Sequence, residues 1–482
     1  MLTVVVQGSF EEARKTIQAA QKDAEGIEFR IDLFEKKDPT HVGKLLHLSK
    51  VPVIFTLRRK DQGGEFRGNE REREGALLEL LKLKPTYVDL EYDVSFRDQI
   101  PQDVKVIASY HNFEKTPEDL STLYKNMQAL NATIYKLATH AQSSLDALRM
   151  LLFVNEHADV AGMCMGEKGM ITRILAPIVG NALTYAPLSK EGGTAPGQVS
   201  LPNLREIYHF EKLNRQTKIY ALIGNPVDKS IGHLCHNQVF RSLKEDAVYV
   251  KIPLTPQEVP LFFKLMKKLP FEGFSVTMPL KEQMALHLDA LDPKAKQIGA
   301  INTLVKREGK WWGYNTDAGG ALDAIERKGS VSGKTLLIIG AGGAAKAIAY
   351  EGLQRGGRII IANRTMKKGE ILAKEVKGKG IGIPSIASET YDILINTTSV
   401  GMAPDLSAIP VPPEAIHENA LVFDAIFNPK ETRLLNIAKN KGCPTVCGYE
   451  MYAYQAFKQF ELWLDRPLDR LKIFQIIESY VI

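Results

Sequence analysis

The sequence predicts an α/β protein in which a parallel (β/α)8 barrel precedes a two-lobed α/β region. Two observations carry this. Eight short β-rich runs, mostly separated by amphipathic stretches, recur through residues 1–190. A strand, a glycine turn, a helix and a second strand then follow one another over residues 335–364.

The eight runs are Leu2–Val6, Ile27–Leu33, Pro52–Leu57, Thr86–Glu91, Val104–Ser109, Thr133–Ala138, Asp159–Met165 and Leu183–Ala186. Helical periodicity fills Phe10–Lys22, Glu70–Leu83, Pro117–Leu130 and Ser143–Val154. An open doubly wound sheet is the alternative arrangement of the same elements. In a barrel, chemistry gathers at the C-terminal ends of the strands. Glu28, Arg30 and Asp32 alternate along run two and share one face. Arg58 follows run three, His111 follows run five, and Arg173 follows run seven. Thr194 and Gln198 follow run eight. Lys136 interrupts the apolar run Thr-Ile-Tyr-Lys-Leu-Ala. Burial there would favour a neutral, nucleophilic amine. Spacing alone also fits a lysine that reaches out to solvent at a strand end.

In the second half, Thr335–Gly340 reads as a buried strand. The turn Gly340-Ala341-Gly342-Gly343-Ala344 leads into a helix over Lys346–Gln354 and a strand over Arg358–Ala362. Such glycines let a pyrophosphate approach the backbone at a helix N-terminus. A dinucleotide site with an unmodified ribose wants an acid after the second strand. Here that place holds Asn363-Arg364-Thr365-Met366-Lys367-Lys368, and Arg364 and Lys368 would attract a 2′-phosphate. The cofactor predicted is therefore NADP(H). Upstream, Lys281 and Asp317 could form a proton-transfer pair in a cleft or a plain surface ion pair.

Taken together, several strings carry a resemblance. Glu28-Phe-Arg30-Ile-Asp32, Ser109-Tyr-His111-Asn, Tyr135-Lys136, Gly169-x3-Arg173 and Thr194-Ala-Pro-Gly-Gln198 resemble type I 3-dehydroquinate dehydratases over about residues 1–210. Ser275-Val-Thr277-Met-Pro-Leu-Lys281, Gly299-Ala-Ile-Asn302-Thr303 and Gly313-Tyr-Asn-Thr316-Asp317 resemble shikimate dehydrogenases over about residues 217–482. The resemblance implies a barrel at 1–212 and a substrate lobe at 213–318, completed by C-terminal helices at 450–482. It also implies a Rossmann NADP lobe at 319–449. It implies that Lys136 condenses with the ketone of 3-dehydroquinate and that His111 moves protons. Glu28, Arg30, Arg58, Arg173, Thr194 and Gln198 would grip that substrate. It implies a second catalytic pair, Lys281 and Asp317, with Ser230, Gly232, Thr277, Asn302 and Gln455 at 3-dehydroshikimate or shikimate. Thr397 and Gly448 would join the cofactor loop. No metal is implied: His236-Asn237 matches a plain family string, which disfavours a metal at His233-Leu-Cys235-His236.

Three positions depart from the families' usual pattern. Gln62 stands where a Glu before Gly-Gly is usual, so His111 should titrate lower than in relatives. Gly232 replaces a serine and Phe427 a tyrosine, removing two hydroxyls from the carboxylate grip. Each lost charge-assisted bond is worth about 1.5–3 kcal/mol. His233, with Lys229, is the expected substitute.

The chain has 482 residues and a net charge of +6. Residues 1–212 carry 27 Lys and Arg against 29 Asp and Glu, and residues 213–482 carry 35 against 27. That excess is too dilute to predict a nucleic-acid partner. The sequence has no apolar run of membrane-spanning length, and its start lacks a basic, then apolar, signal pattern. Four sparse cysteines fit reduced thiols and a cytoplasmic location. Two rivals remain at this stage. One is another Schiff-base lyase joined to a quinate/shikimate-type dehydrogenase. The other is a degenerate NADP-binding regulator.

Overall fold

Eight strands build the first sheet: β1 (Leu2–Gly8), β2 (Gly26–Phe34), β3 (Val53–Thr56), β4 (Tyr87–Glu91), β5 (Lys105–Asn112), β6 (Ile134–His140), β7 (Val160–Met165) and β8 (Thr184–Tyr185). They pair in the order β7-β6-β5-β4-β3-β2-β1-β8, every pair parallel, as the alternation predicts. The barrel nearly closes. Between β7 and β8 a side chain does part of the ladder's work: the Asn181 amide accepts from Gly162 N at 3.2 Å and donates to Gly162 O at 2.7 Å. Here the computed structural model describes residues 1–189 and 195–480.

Local chemistry sets the element ends. Ser9 and Glu12 form a reciprocal cap on the helix Phe10–Ala20, and Asn69 with Glu72 does the same for Glu70–Leu81. The periodicity over 117–130 overshoots. The α-helix is Leu120–Met127, capped by the Asp119 carboxylate, and ends in a 3-10 turn at Gln128–Leu130. Strand β8, Thr184–Tyr185, is shorter than its apolar run, although Ala186 N still donates to Thr3 O at 3.0 Å.

Two six-stranded sheets follow. The first runs β10-β9-β11-β13-β14-β12, with β9 (Lys218–Gly224), β10 (Ala247–Pro253), β11 (Phe271–Val276), β12 (Ala290–Leu291), β13 (Thr303–Arg307) and β14 (Lys310–Tyr314). Strand β13 is antiparallel to β11 and to β14. The second is wholly parallel, in the order β17-β16-β15-β18-β19-β20. Its strands are β15 (Thr335–Ile339), β16 (Arg358–Asn363), β17 (Lys379–Gly382), β18 (Ile393–Asn396), β19 (Leu421–Asp424) and β20 (Thr445–Cys447). On β15, Leu336 and Ile338 enter one core while Leu337 and Ile339 enter the other, so the strand is apolar on both faces. The chain divides into two compact units, Met1–Ile219 with Lys244–Phe271, and Tyr220–Leu243 with Glu272–Ile482.

Within the second unit, the helix Gly448–Leu464 leaves β20 and packs against the helix Thr316–Glu326. Gly320 permits that approach, since a Cβ there would lie 2.7 Å from Gln455 N. Farther along, Gln459 donates to Thr303 Oγ1 at 2.8 Å and Trp463 Nε1 to Leu304 O at 3.0 Å. The helix therefore returns from the parallel sheet to β13. No helix among the described residues is long and apolar enough to cross a membrane.

Candidate active sites

The first site lies at the C-terminal mouth of the barrel. One cavity is lined by Glu28, Arg30, Arg58, Gln62, His111, Lys136, Arg173, Tyr185 and Gln198. Residues from seven different sequence segments thus converge, as parallel strands closing a barrel require. Thr194 lies outside the described residues.

Lys136 is buried, with 5% of its surface exposed. Its Nζ sits 2.9 Å from Asp89 Oδ2, 3.1 Å from Tyr185 Oη and 3.6 Å from Glu28 Oε1. Glu28 also accepts from Thr56 Oγ1 at 2.8 Å, and Arg30 pairs with Asp32 at 2.8 Å. Arg58 is paired with Asp89 at 2.8 Å and with Glu91 at 3.4 Å, and donates to Ser109 Oγ at 2.7 Å. Burial opposes the Arg58 charge, but Asp89, Glu91 and Glu28 outweigh it and strengthen the guanidinium's hold on its proton.

Arg173 differs. It is 2% exposed, no carboxylate among the described residues pairs with it, and its Nε has no hydrogen-bond partner. Its Nη1 reaches Met163 Sδ at 3.8 Å. Burial pulls its pKa down to about 10. A buried cation without a counterion among the described residues has the charge and the free donors to receive an anion.

His111 Nδ1 is buried without a hydrogen-bond partner among the described residues. Burial first, then the Arg58 and Lys136 charges, hold its pKa well below the usual imidazole value. Gln62 Oε1 accepts from the His111 backbone N–H at 3.1 Å, and so fixes the strand end rather than the ring.

The second site lies in the second unit. Lys281 Nζ meets Asp317 Oδ2 at 2.5 Å. The Asn302 amide donates to Asp317 Oδ1 at 2.8 Å, to Thr316 Oγ1 at 2.9 Å and to Gln455 Oε1 at 3.2 Å. Asp317 thus enters the first turn of its helix with its other oxygen fixed. Gln455 is brought there by the Gly448–Leu464 helix. Thr277 follows β11, held by its N–H on Ile223 O at 2.9 Å. Ser230 Oγ accepts from Gly232 N at 3.1 Å, and Gly232 and His233 open the helix Gly232–Leu243. His236 is a core residue: burial lowers its pKa to about 4, and its ring packs on Phe460 and Trp463. Phe427 packs against Tyr452, with ring centroids 5.1 Å apart.

The cofactor loop leaves β15 through Gly340, whose φ of +115° and approach to Thr397 Oγ1, 2.5 Å from where a Cβ would sit, demand glycine. Thr397 Oγ1 is held by Ile339 O at 2.6 Å. Gly342 caps the helix Gly343–Gln354, with Ala344 in its first turn, and a Cβ at Gly342 or Gly343 would meet nothing within 4 Å. A bare, open helix N-terminus results. Ala341 lies between the two turns. Strand β16 ends at Asn363, whose amide donates to Thr365 O at 2.9 Å. Arg364 and Lys368 are exposed there without an acidic partner among the described residues. Gly448 lies at the start of its helix, where a Cβ would meet Ile426 O at 2.3 Å. These residues fit a dinucleotide with a 2′-phosphate.

Sequence reasoning missed Tyr185, Asp89 as the Lys136 partner, and Thr316. A carboxylate at Asp89, between Val88 and Leu90 on a short strand, is a signal that could have found it. Nothing in the short run around Tyr185 distinguishes it from a core tyrosine.

Residues 1–215 match the Type I 3-dehydroquinase family, 222–304 the Shikimate dehydrogenase substrate binding domain, and 323–402 the Shikimate / quinate 5-dehydrogenase family. The chain is 36% identical over 495 residues to the Bifunctional 3-dehydroquinate dehydratase/shikimate dehydrogenase, chloroplastic, of Arabidopsis thaliana, covering 97% of this chain and 82% of that protein. It is 35% identical to the Shikimate biosynthesis protein AroDE of Chlamydia pneumoniae, covering 96% and 95%. A solved shikimate dehydrogenase in complex with NADP+ superposes with a TM-score of 0.54 at 36% identity, over 56% of this chain and 98% of that one. The two bifunctional relatives thus match 96–97% of this chain, and the chain belongs to the bifunctional 3-dehydroquinate dehydratase/shikimate dehydrogenase family.

Proposed function

We propose that this chain dehydrates 3-dehydroquinate to 3-dehydroshikimate in the barrel and reduces that product to shikimate, with NADPH, in the second unit. The observation that carries it is one cavity that holds both a buried lysine and a buried arginine with no carboxylate partner among the described residues. Neither a degenerate regulator nor a plain ion-pair network needs that combination. In domain terms, 1–212 is the dehydratase and 213–318 with 450–482 the substrate lobe. The Rossmann lobe is 319–449.

In the barrel, neutral Lys136 adds to the substrate ketone, and loss of water gives an iminium that withdraws electrons from the neighbouring carbon. His111, kept neutral by burial and by nearby cations, is in the form that can take the adjacent proton. It then returns a proton to the departing hydroxyl. Arg173 holds the carboxylate with Gln198 and Thr194. Glu28, Arg30 and Arg58 orient the ring.

In the second unit, the bound dinucleotide supplies hydride. Gly340, Ala341, Gly342, Gly343 and Ala344 would hold its pyrophosphate. Asn363, Arg364, Thr365 and Lys368 would hold the adenosine end and its 2′-phosphate. Thr397 and Gly448 would hold its nicotinamide end. Lys281 protonates the developing alkoxide, and Asp317 fixes the ammonium and shares its proton. Thr277, Asn302 and Gln455 hold hydroxyls. Ser230, the Gly232 backbone and His233 hold the carboxylate. If His233→Ala leaves the KM for 3-dehydroshikimate unchanged, His233 has no part in that grip. The four cysteines are free, which suits a reducing cytoplasm.

The test is borohydride reduction in the presence of 3-dehydroquinate. A mass increment on the peptide carrying Lys136 supports the assignment. Trapping elsewhere, or none, refutes it.

A further inference from the structure

Before Lys136 can attack, its ammonium must lose a proton, and the structure offers three acceptors. Asp89 is nearest, at 2.9 Å, but its charge is already shared with Arg58 at 2.8 Å. Burial alone would raise its pKa, yet the Arg58 charge, 2.8 Å away, and that of Lys136 outweigh burial and hold the carboxyl well below its ordinary range. Glu28 makes no ion pair with an arginine, and it reaches the same cavity, but its Oε1 lies 3.6 Å from Nζ, beyond a direct hydrogen bond. Tyr185 fills the gap. Its hydroxyl accepts from Lys136 Nζ at 3.1 Å and donates to Glu28 Oε1 at 3.3 Å. Its ring lies under the ammonium, 4.6 Å from Nζ to the centroid, and the residue is 4% exposed.

We propose that Tyr185 is a catalytic proton relay that carries the Lys136 proton to Glu28 and so frees the amine. One N–H bond breaks at Nζ as one O–H bond forms at Tyr185 Oη. The tyrosine's own proton passes to Glu28 Oε1, leaving a neutral amine, an intact phenol and a carboxylic acid. The amine then bonds to the ketone carbon; one of its two protons moves to the former carbonyl oxygen and the other stays on nitrogen. When that oxygen departs as water, the Glu28 proton leaves with it, and Glu28 is again a carboxylate. No electron acceptor is needed. Burial first, then the Glu28 and Asp89 charges, push the phenol's pKa well above its ordinary value. The hydroxyl therefore stays protonated between turnovers, as a relay requires and a tyrosinate base would not.

This inference rests on Lys136 as the amine, so the experiment separates the two. Imine formation is followed in a single turnover by rapid borohydride quenching, with the adduct located by mass. Absence of a Lys136 adduct in the unaltered protein refutes the amine assignment itself. Given that adduct, Tyr185→Phe should form it about ten-fold more slowly with an unchanged KM. The slower rate should rise with added imidazole, a small base able to replace the relay, whereas the unaltered protein should ignore it. Tyr185→Phe with Glu28→Gln should be no slower than the slower single variant, since both break one chain. A Tyr185→Phe rate within two-fold of the unaltered protein overturns the relay. So does a slower rate that imidazole leaves unmoved, because that is a structural role only.

Discussion

The barrel site and the second-unit site solve opposite electrostatic problems. In the barrel, Lys136, Arg58, Asp89 and Glu91 are all buried and bound to one another, while Arg173, equally buried, has no counter-charge among the described residues. In the second site, Lys281 and Asp317 are only partly covered, with side-chain exposures of 33% and 13%, and neutral amides and hydroxyls surround them. Covalent chemistry needs a desolvated amine, so the first site is built dry before substrate arrives. Proton transfer that accompanies hydride transfer needs only a positioned pair, and the dinucleotide itself can complete the enclosure. Among the described residues, the other buried barrel charges are balanced internally and Arg173 is the exception, where the proposed function places the substrate's carboxylate.

The largest effects should separate the two sites completely. Lys136→Ala should lower dehydration by about 10⁴-fold or more, as loss of a nucleophile does, and leave reduction of 3-dehydroshikimate intact. Steady-state assays of each reaction check this. Asp317→Asn should lower reduction by about 10²–10⁴-fold and leave dehydration intact.

The two barrel arginines sharpen the comparison. Arg58→Met leaves Asp89 to Lys136 alone and Glu91 to Arg73 alone, so two buried carboxylates lose their shared cation and the fold should be destabilised by up to about 3–5 kcal/mol. Arg173→Met removes a cation with no partner and should leave stability unchanged or higher. It should nonetheless raise the KM for 3-dehydroquinate about ten- to a hundred-fold, the worth of a charge-assisted bond. Denaturant melts and initial rates read both, and equal destabilisation would erase the distinction.

Smaller effects follow in the second unit. Arg364→Ala should weaken NADPH about ten-fold or more while leaving NADH little changed, which paired KM values check. Asp424 is a buried acid in β19 that accepts from Thr432, Asn396 and Ile426, yet burial raises its pKa to about 6. Its folded pKa lies above the unfolded value of 3.8, so the folded state binds the proton more tightly. Stability should therefore be fullest below about pH 4 for this group. It should fall by about 3 kcal/mol as pH rises through 6. Asp424→Asn should flatten that slope in melts from pH 4 to 7.

Much of this was legible in the sequence because strand periodicity and motif order are local. Lys136 on an apolar run, and Arg364 where an acid would be expected, carry their meaning in the string. Across-barrel chemistry does not. Gln62 illustrates this: the amide departs from the family pattern, but only three dimensions show it bonded to the His111 backbone rather than to the imidazole. Likewise Tyr185 sits 49 residues from Lys136, and only barrel closure brings its hydroxyl to the amine. That Arg58 is paired, and Arg173 is not paired among the described residues, depends on which strands are neighbours, which no spacing encodes.

The most direct test of two separate, complementary sites is a mixing experiment that follows NADPH consumption from added 3-dehydroquinate. The unaltered chain should consume NADPH. Lys136→Ala and Lys281→Ala chains should each be nearly silent, and an equimolar mixture should recover the flux. NADPH loss by Lys136→Ala alone, or silence of the unaltered chain, would contradict the account.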